Sequence, residues 1–516
     1  MKVRLENISC KLIIGGKDFL VDPNLLENLR TYLSVGIPGA YYTPAYEARV
    51  WDGRRRFITP KGRMATGFLP LLLKYIEEEY PDLDVEILDE RGDIPVFRKE
   101  FIKQIGSTEI TEEYEHQKRM IQAFDSRIAY RDMQYPFPRG IMNAATNAGK
   151  TAAMAGVHLN LVGDPSMLVL IHRKPIFEQL VEFFKDVYGE VGIINAKKYD
   201  VQRITVGMIK TVYNRLAKSI NVKKDLAKFD VIAVDECHMA GSKIYSKVLQ
   251  NVPAPVRVFV SGTPFDSDAI LNKMIAIGLS GPEVVKVTKR ELMDKGISQN
   301  VKVHMHLCYP YSRRGPTPTK ESNFSLVYSD YIQHYIHTSV NRVSIMWNIL
   351  AANKIPTLIA VEEIAHGKFI LDGFHIHQQL ELLDETKNKY DYFTVAFVHG
   401  TDPDREDKIK RFNGGELDVL ITTRILKEGV NMPIANQLIY ALGGKSGVNV
   451  KQWMGRIERT DGKASEVLMH DFYDIGQFVE GHSRKRLKVY RKENIEIVKT
   501  PSRKEIQEIK RQLLVK

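Results

Sequence analysis

The stretch Ala144-Ala145-Thr146-Asn147-Ala148-Gly149-Lys150-Thr151 decides the fold. It overlaps the end of an apolar run, GIMNAAT (140–146), and opens a segment of helical composition, AAMAGVHLNLV (152–162). A strand, a tight turn and a helix in that order aim successive backbone N–H groups at the helix N-terminus, where they cradle phosphate oxygens. In that reading Thr146, Asn147, Ala148 and Gly149 form the loop, Lys150 reaches the β- and γ-phosphates, and Thr151 ligates magnesium. Ala144 stands where such loops usually carry their first glycine. The alternative is a chance Gly-Lys-Thr at a helix start.

Working outward, short apolar runs alternate with helical segments on both sides of this loop. GIMNAAT, MLVLIH (167–172), ITVGMI (204–209), VIAVDE (231–236) and VRVFVSGT (256–263) predict strands of a parallel sheet buried on both faces. The Pro- and Ser-rich stretch 309–325 predicts a linker. A second series follows it: TLIAVEE (357–363), YFTVAFVHG (392–400), LDVLITT (417–423), QLIYALGG (437–444) and SEVLMHDF (465–472). Ahead of both, VRLENISCKLIIGG (3–16) predicts strands joined at Gly15-Gly16, and LLENLRTYL (25–33) and FLPLLLKYIEEEY (68–80) predict helices. YYTPAYEARVWDGRRRFITPKG (41–62) predicts a hairpin or loop. The expected fold is α/β: two tandem parallel-sheet lobes behind a small α+β module. The expected boundaries are 1–110, 111–300 and 301–516.

The chain has 516 residues, 44% hydrophobic and 27% charged, which excludes global disorder. Three separated cysteines exclude a disulfide framework and a metal knuckle, and point to a reducing compartment. No run approaches the roughly 18 apolar residues of a membrane span, and no signal peptide is expected. The net charge of +11 leans toward a polyanionic partner, but its placement matters more. Residues 1–110 carry a net charge of −1, yet Arg49, Arg54, Arg55, Arg56, Lys61 and Arg63 cluster there with Asp52 as the only acid; residues 451–516 carry +6.

Two further motifs carry chemistry. Val231–Val234 runs into Asp235 and Glu236, carboxylates that would hold magnesium and orient or deprotonate the attacking water. Gln452-Trp453-Met454-Gly455-Arg456-Ile457-Glu458-Arg459 puts two arginines three apart, on one helical face, suited to stabilising a transferring phosphoryl group. Taken singly, each could be a solvated turn or helix face.

In this order the motifs resemble those of the superfamily 2 helicases and translocases, from about residue 113 to 490. The resemblance implies two RecA-like lobes. It places His116-Gln117 at the adenine-contacting glutamine and AATNAGKT at motif I. LVLIHRKPIFEQL (168–180), ITVGMIKTV (204–212), DECH (235–238) and Ser261-Gly262-Thr263 resemble motifs Ia, Ib, II and III. LIAVEEIAHGKFI (358–370), ITTRILKEGVNMP (421–433) and QWMGRIER (452–459) resemble motifs IV to VI. By carry-over, Gln117, Glu428, Gly429 and Gln452 contact the nucleotide, and Arg456 and Arg459 are arginine fingers. His238, Ser261 and Thr263 couple hydrolysis to grip on DNA. Arg173, Thr211 and Thr422 contact the DNA backbone. Spacing adds His399, with Lys174, Lys210, His366, Lys368 and Lys445 as weaker candidates.

Arg49-Val50-Trp51-Asp52-Gly53-Arg54-Arg55 resembles the Trp-Asp-Gly-Arg segment of bacteriophage UvsW-type branch-migration helicases, as do ELMDKGISQN (291–300) and the 482–497 tail. Residues 1–110 are then a DNA-binding module in which Trp51, Arg54, Arg55 and Arg56 hold phosphates and stack on a base. Trp51 packing in the module core is the alternative. The implied protein is an ATP- and Mg2+-dependent DNA helicase remodelling forks, displacement loops and four-way junctions in phage recombination, replication and repair. It would act in the host cytoplasm, with recombination and single-strand-binding proteins as expected partners. The competing readings are the motor subunit of a restriction-type nuclease, an RNA helicase, and an annealing protein with a regulatory ATPase.

Overall fold

The computed structural model describes residues 1–129, 135–172, 174–262, 264, 270–309, 324–353, 355–382, 393–424, 432, 434–457, 466–476 and 478–515. The chain divides into two compact units, Met1–Thr288 and Lys289–Lys516.

The first unit begins with six short strands: β1 (Lys2–Leu5), β2 (Ser9–Ile13), β3 (Ser34–Gly36), β4 (Arg54–Arg56), β5 (Arg63–Ala65) and β6 (Glu86–Asp89). Four of them form a sheet in the order β5-β2-β1-β6, with β1 antiparallel to β2 and parallel to β6. Helices Leu25–Tyr32 and Leu69–Glu79 lie where their spacing predicts them and bury Leu25, Leu29, Leu69, Leu72 and Ile76. The β1–β2 turn is not at Gly15-Gly16. It sits at Glu6–Ser9, where Glu6 N–H donates to Ser9 O and the Ser9 hydroxyl donates to Glu6 Oε2. Asn7 is the turn-forming residue there. Gly15-Gly16 instead leads into the short helix Asp18–Val21, with Gly15 N–H donating to Asp18 Oδ2. β3 pairs antiparallel with β4, and residues 37–53 between them form an elaborated loop.

After a two-stranded ribbon of β7 (Gln104–Ile105) and β8 (Thr108–Glu109), the parallel sheet of the first lobe begins. Its strands are β9 (Arg139–Ala144), β10 (Met167–Ile171), β11 (Gly192–Ile194), β12 (Ile204–Met208), β13 (Val231–Val234), β14 (Val256–Ser261) and β15 (Glu283–Val287). Their order is β11-β12-β10-β13-β14-β9-β15. Every residue of β10, β13 and β14 is buried, as a sheet covered on both faces requires. β13, β14 and β9 are neighbours, so the segments leaving their C-terminal ends converge on one edge of the sheet, where ligands collect in open α/β folds.

One continuous apolar core runs from Met1, Val3 and Leu29 through Leu69 and Phe68 to Ile277 and Leu279 of the first lobe. Two glycines allow that approach. A Cβ on Gly67 would fall 2.0 Å from Ile277 O, and one on Gly278 would fall 2.7 Å from the Phe68 ring. Buried Arg139, at the start of β9, donates through Nη1 to Asn7 O and through Nε to Ser280 O.

The second unit carries β16 (Asn300–Cys308), β17 (Thr357–Ala360), β18 (Val395–Val398), β19 (Val419–Thr422), β20 (Gln437–Tyr440), β21 (Glu466–Asp474) and β22 (Glu496–Lys499). They form a parallel sheet in the order β18-β19-β17-β20-β21-β16-β22. Trp453, Tyr440 and Tyr490 belong to one of its apolar clusters; Trp347, Phe374 and Phe472 belong to another. The two sheets are the two parallel-sheet lobes that the apolar runs predict, and they have the RecA-like form that the resemblance implies. β11, β15, β16 and β22 are additions that those runs do not announce.

Candidate nucleotide-binding site and nucleic-acid-facing residues

The 144–151 loop leaves β9 and enters the helix Lys150–Leu159. Ala144 is the buried last residue of the strand, and its φ is not positive, so the usual glycine is not needed there. The turn is made by Asn147 at φ 70° and Gly149 at φ 77°. Asparagine tolerates the left-handed region better than most side chains, and glycine enters it freely. A Cβ on Gly149 would lie 2.3 Å from Gln117 Nε2, so the Gln117 amide is packed on the loop. Gln117 itself is buried on the helix Glu115–Gln122. Lys150 Nζ donates to the Ala144 and Ala145 carbonyls at 3.2 Å each, which holds its ammonium over the loop. Ala148 is buried, and Thr146 and Thr151 are half-buried.

Asp235 and Glu236 follow β13. Asp235 Oδ1 accepts from Glu236 N–H at 2.9 Å, and Glu236 itself sits at φ 54°. That sharp turn carries the Glu236 carboxylate to β14, where Ser261 Oγ donates to Glu236 Oε2 at 3.3 Å. His238 Nδ1 lies 3.1 Å from Glu236 Oε2 and 3.3 Å from Ser261 Oγ. Gly262 closes the constellation: a Cβ there would meet Ala144 O at 3.3 Å and Lys150 Nζ at 3.9 Å. Lys150, Asp235, Glu236, His238 and Ser261 are therefore gathered by three adjacent strand ends. Burial holds the Cys237 thiol protonated, its pKa raised well above normal, which fits a bystander.

The donor set fits a magnesium nucleotide. The loop turns its backbone through two left-handed residues, a lysine stands over it, and a carboxylate pair leaves β13, two strands from β9 on the same edge of the sheet.

Other sequence-predicted residues are placed differently. Thr211 lies in the first turn of the helix Ile209–Leu216, half-buried. His399 follows β18, half-buried, with Nδ1 3.1 Å from the Thr401 hydroxyl. Thr422 is fully buried and its hydroxyl donates to Thr423 O, so its side chain is turned inward in this structure. His366 is likewise buried and stacks on His337, which removes it as a backbone contact here. Gln452 lies half-buried on the helix Gly447–Ile457. Arg456 is on the same helix, but its side chain lies outside the described residues, as do Arg173, Thr263, Glu428, Gly429 and Arg459.

In the N-terminal module Trp51 is half-exposed, outside the apolar core, and its indole N–H donates to Arg54 O at 2.8 Å. Arg54 Nε donates to Ser34 Oγ at 2.8 Å. Arg55 is exposed and makes no ion pair among the described residues. Arg56 is internally engaged, with Nη2 2.8 Å from Asp52 and 3.2 Å from Glu27. The hydrogen bond to Asp52 leads the causes that raise its pKa. Among the described residues, no helix is long and apolar enough to cross a membrane.

Comparison with known proteins agrees with this geometry. Residues 110–266 match the family described as Type III restriction enzyme, res subunit, and residues 350–461 match the helicase conserved C-terminal domain. The chain is 22% identical over 472 residues to the ATP-dependent DNA helicase uvsW of Enterobacteria phage T4, covering 88% of both chains. It is 24% identical to the DNA 3'-5' translocase XPB2 of Sulfurisphaera tokodaii, over 67% of this chain and 80% of that one. Among solved structures, a fragment of a putative HsdR subunit of a type I restriction enzyme from Vibrio vulnificus matches with a TM-score of 0.50 at 17% identity. That alignment covers 72% of this chain and 64% of that one, and shares the fold. The motif order, the paired parallel sheets and these matches together make the chain an ATP-dependent helicase of superfamily 2, similar along most of its length to phage UvsW.

Proposed function

We propose that this helicase acts on DNA and remodels branched substrates: forks, displacement loops and four-way junctions. The observation that carries the motor reading is the convergence of Lys150, Asp235, Glu236, His238 and Ser261 at three neighbouring strand ends. Similarity over 88% of the chain to a phage DNA helicase supports the choice of DNA.

In this reading the 146–149 backbone and Lys150 hold the triphosphate, and Thr151 and Asp235 hold magnesium. When bound, the metal ion neutralises charge on the phosphate oxygens. Glu236 takes the proton of the attacking water or orients it. Ser261 and His238, bonded to the same carboxylate, fix its direction and are placed to report hydrolysis to the DNA-holding segments. Gln117, Glu428, Gly429 and Gln452 complete nucleotide contact, and Arg456 and Arg459 stabilise the transferring phosphoryl group. Thr211 and His399 contact the DNA backbone with Arg173, contacts that carry no sequence information. The site of action is the host cytoplasm, in keeping with three free, buried cysteines.

ATP turnover measured with single-stranded, duplex, forked and four-way DNA and with RNA tests the reading. Branched DNA should stimulate most, and Lys150→Ala should abolish junction migration. Stimulation by RNA alone overturns the DNA assignment; migration undiminished in Lys150→Ala overturns the motor.

A further inference from the structure

Residues 37–53 form a pinned loop that displays apolar side chains to solvent. Tyr42 is 78% exposed, Val50 82% and Tyr41 58%. A floppy loop could hide such side chains, but this backbone is held at both ends and across its middle. Ile37 N–H donates to Gly53 O, and the Thr43 hydroxyl donates to Ala40 O. The Val50 and Trp51 N–H groups both donate to Ala45 O. Gly53, at φ 75°, lies so close to Ala40 and Tyr46 that a Cβ would meet each at 3.1 Å. Arg49 adopts φ 54°, a left-handed conformation that costs a non-glycine residue free energy and persists only where its surroundings enforce it.

The charges around the loop are also arranged. Asp52 is neutralised by Arg56, while Arg49 and Arg55 are exposed and make no ion pair among the described residues. Arg54 is held in place by Ser34. The Tyr41 and Tyr42 rings are 4.2 Å apart between centroids and tilted by 45°, so each keeps an open outer face. Exposed aromatic rings on a loop that carries Arg49 and Glu47 and runs into the strand of Arg54 and Arg55 suit unstacked nucleobases with their phosphates: each ring offers a sequence-tolerant stacking surface, and each guanidinium a phosphate contact. An apolar protein partner would leave the arginines unmatched.

We propose that Tyr41 and Tyr42 are a base-stacking element that engages the unpaired nucleotides at a DNA branch point, with Arg49, Arg54 and Arg55 holding the adjacent phosphates. This rests on the DNA reading above. It adds the two tyrosines to Trp51, for which the sequence suggested stacking and whose indole N–H donates to Arg54 O. Because the module shares its core with the first lobe, the loop is fixed to the nucleotide-binding lobe.

The test uses the full-length protein with Tyr41→Ala/Tyr42→Ala and Tyr41→Phe/Tyr42→Phe. Affinity for a fork and for the matching duplex is measured by fluorescence anisotropy. A 2-aminopurine at the branch nucleotide reports stacking. Thermal melting of each variant checks the fold, which these exposed side chains do not support. The alanine pair should lose preference for fork over duplex by ~10-fold and lose the 2-aminopurine change, and the phenylalanine pair should keep both. Fork preference unchanged in the alanine pair overturns the proposal and leaves the tyrosines to a protein partner. Equal loss in the phenylalanine pair overturns stacking in favour of the hydroxyls. If the wild type shows neither fork preference nor DNA-stimulated ATP turnover, the DNA reading itself fails, a result distinct from either.

Discussion

Glu236, the proposed base, has an unfavourable backbone, φ 54°. A left-handed non-glycine residue costs on the order of 1–3 kcal/mol, and the fold sustains it because the turn brings the carboxylate to Ser261 and His238. Glu236→Gly should therefore melt within about 1 kcal/mol of the wild type, since relief of strain offsets the lost hydrogen bonds. Glu236→Gln should keep the turn. Both should bind ATP and lose turnover by roughly 100-fold or more, the usual worth of a positioned general base. Single-turnover hydrolysis beside fluorescent-nucleotide binding separates these effects; wild-type turnover in Glu236→Gln would remove the carboxylate from the chemistry. Gly149 is the opposite case, a position that only glycine suits. Gly149→Ala combines φ 77° with a Cβ 2.3 Å from Gln117 Nε2. Nucleotide affinity should fall by about tenfold or more, given a strain of at least about 1 kcal/mol. Titration with a fluorescent ATP analogue reads it, and an unchanged Kd would show that the loop and Gln117 can separate freely.

At the scale of elements, β16 and β21 place three histidines together: His306 Nε2 lies 2.8 Å from His470 Nδ1, and the His304 ring is 5.3 Å from that of His470. Burial, then neighbouring cationic and histidine groups, pulls His306 down to about 4 and His470 to about 3. Because the folded values lie below the unfolded value near 6.5, the unfolded chain binds more protons between them. Stability is therefore full above about pH 6.5 and falls as pH drops toward 4, by up to about 1.4 kcal/mol per pH unit for each histidine. His470→Asn should flatten the acid limb of urea midpoints measured between pH 7 and pH 4.5; a slope equal to wild type would show that the pair does not set it. The same strands show the limits of sequence patterns. β10, β13, β17 and β19 were legible because burial on both faces demands unbroken apolar runs. β16 alternates buried and half-buried residues through Lys302, His304 and His306, so it reads as polar. β15 and β22 are edge strands with charged residues, and β11 has three residues. The placing of Lys150, Asp235 and Ser261 at neighbouring strand ends was legible, because phosphate chemistry fixes residue types there. The exposed Tyr41-Tyr42 pair was not, since exposure depends on how residues 37–53 fold back on themselves.

At the scale of the molecule, composition predicts a separate N-terminal module, but its core is continuous with that of the first lobe. Phe68 is 1% exposed, and its ring packs on the Gly278 backbone, while Gly67 packs on the Ile277 and Gly278 carbonyls. Those neighbours are backbone atoms of the helix Ile270–Ser280, which leads through Gly281 toward β15 beside the nucleotide-binding strand. They cannot swing aside as a long side chain would. Gly67→Ala, with a Cβ 2.0 Å from Ile277 O and 2.7 Å from Gly278 O, must push the module off this surface. Overpacking of this kind costs on the order of 1–3 kcal/mol, and the loss of Phe68 burial adds to it. The melting transition of the first unit should fall by several degrees, and trypsin should gain access at Arg98, Lys99 and Lys103, which lead from the module into the lobe. Gly16→Ala, at a position with nothing within 4 Å and no positive φ, is the matched control and should melt as the wild type does. If Gly67→Ala melts and resists trypsin as the wild type does, the module is not anchored through this contact. The 37–53 loop would then not be carried by the first lobe. If it destabilises as expected, fork preference should weaken with it even though no DNA-facing residue has changed.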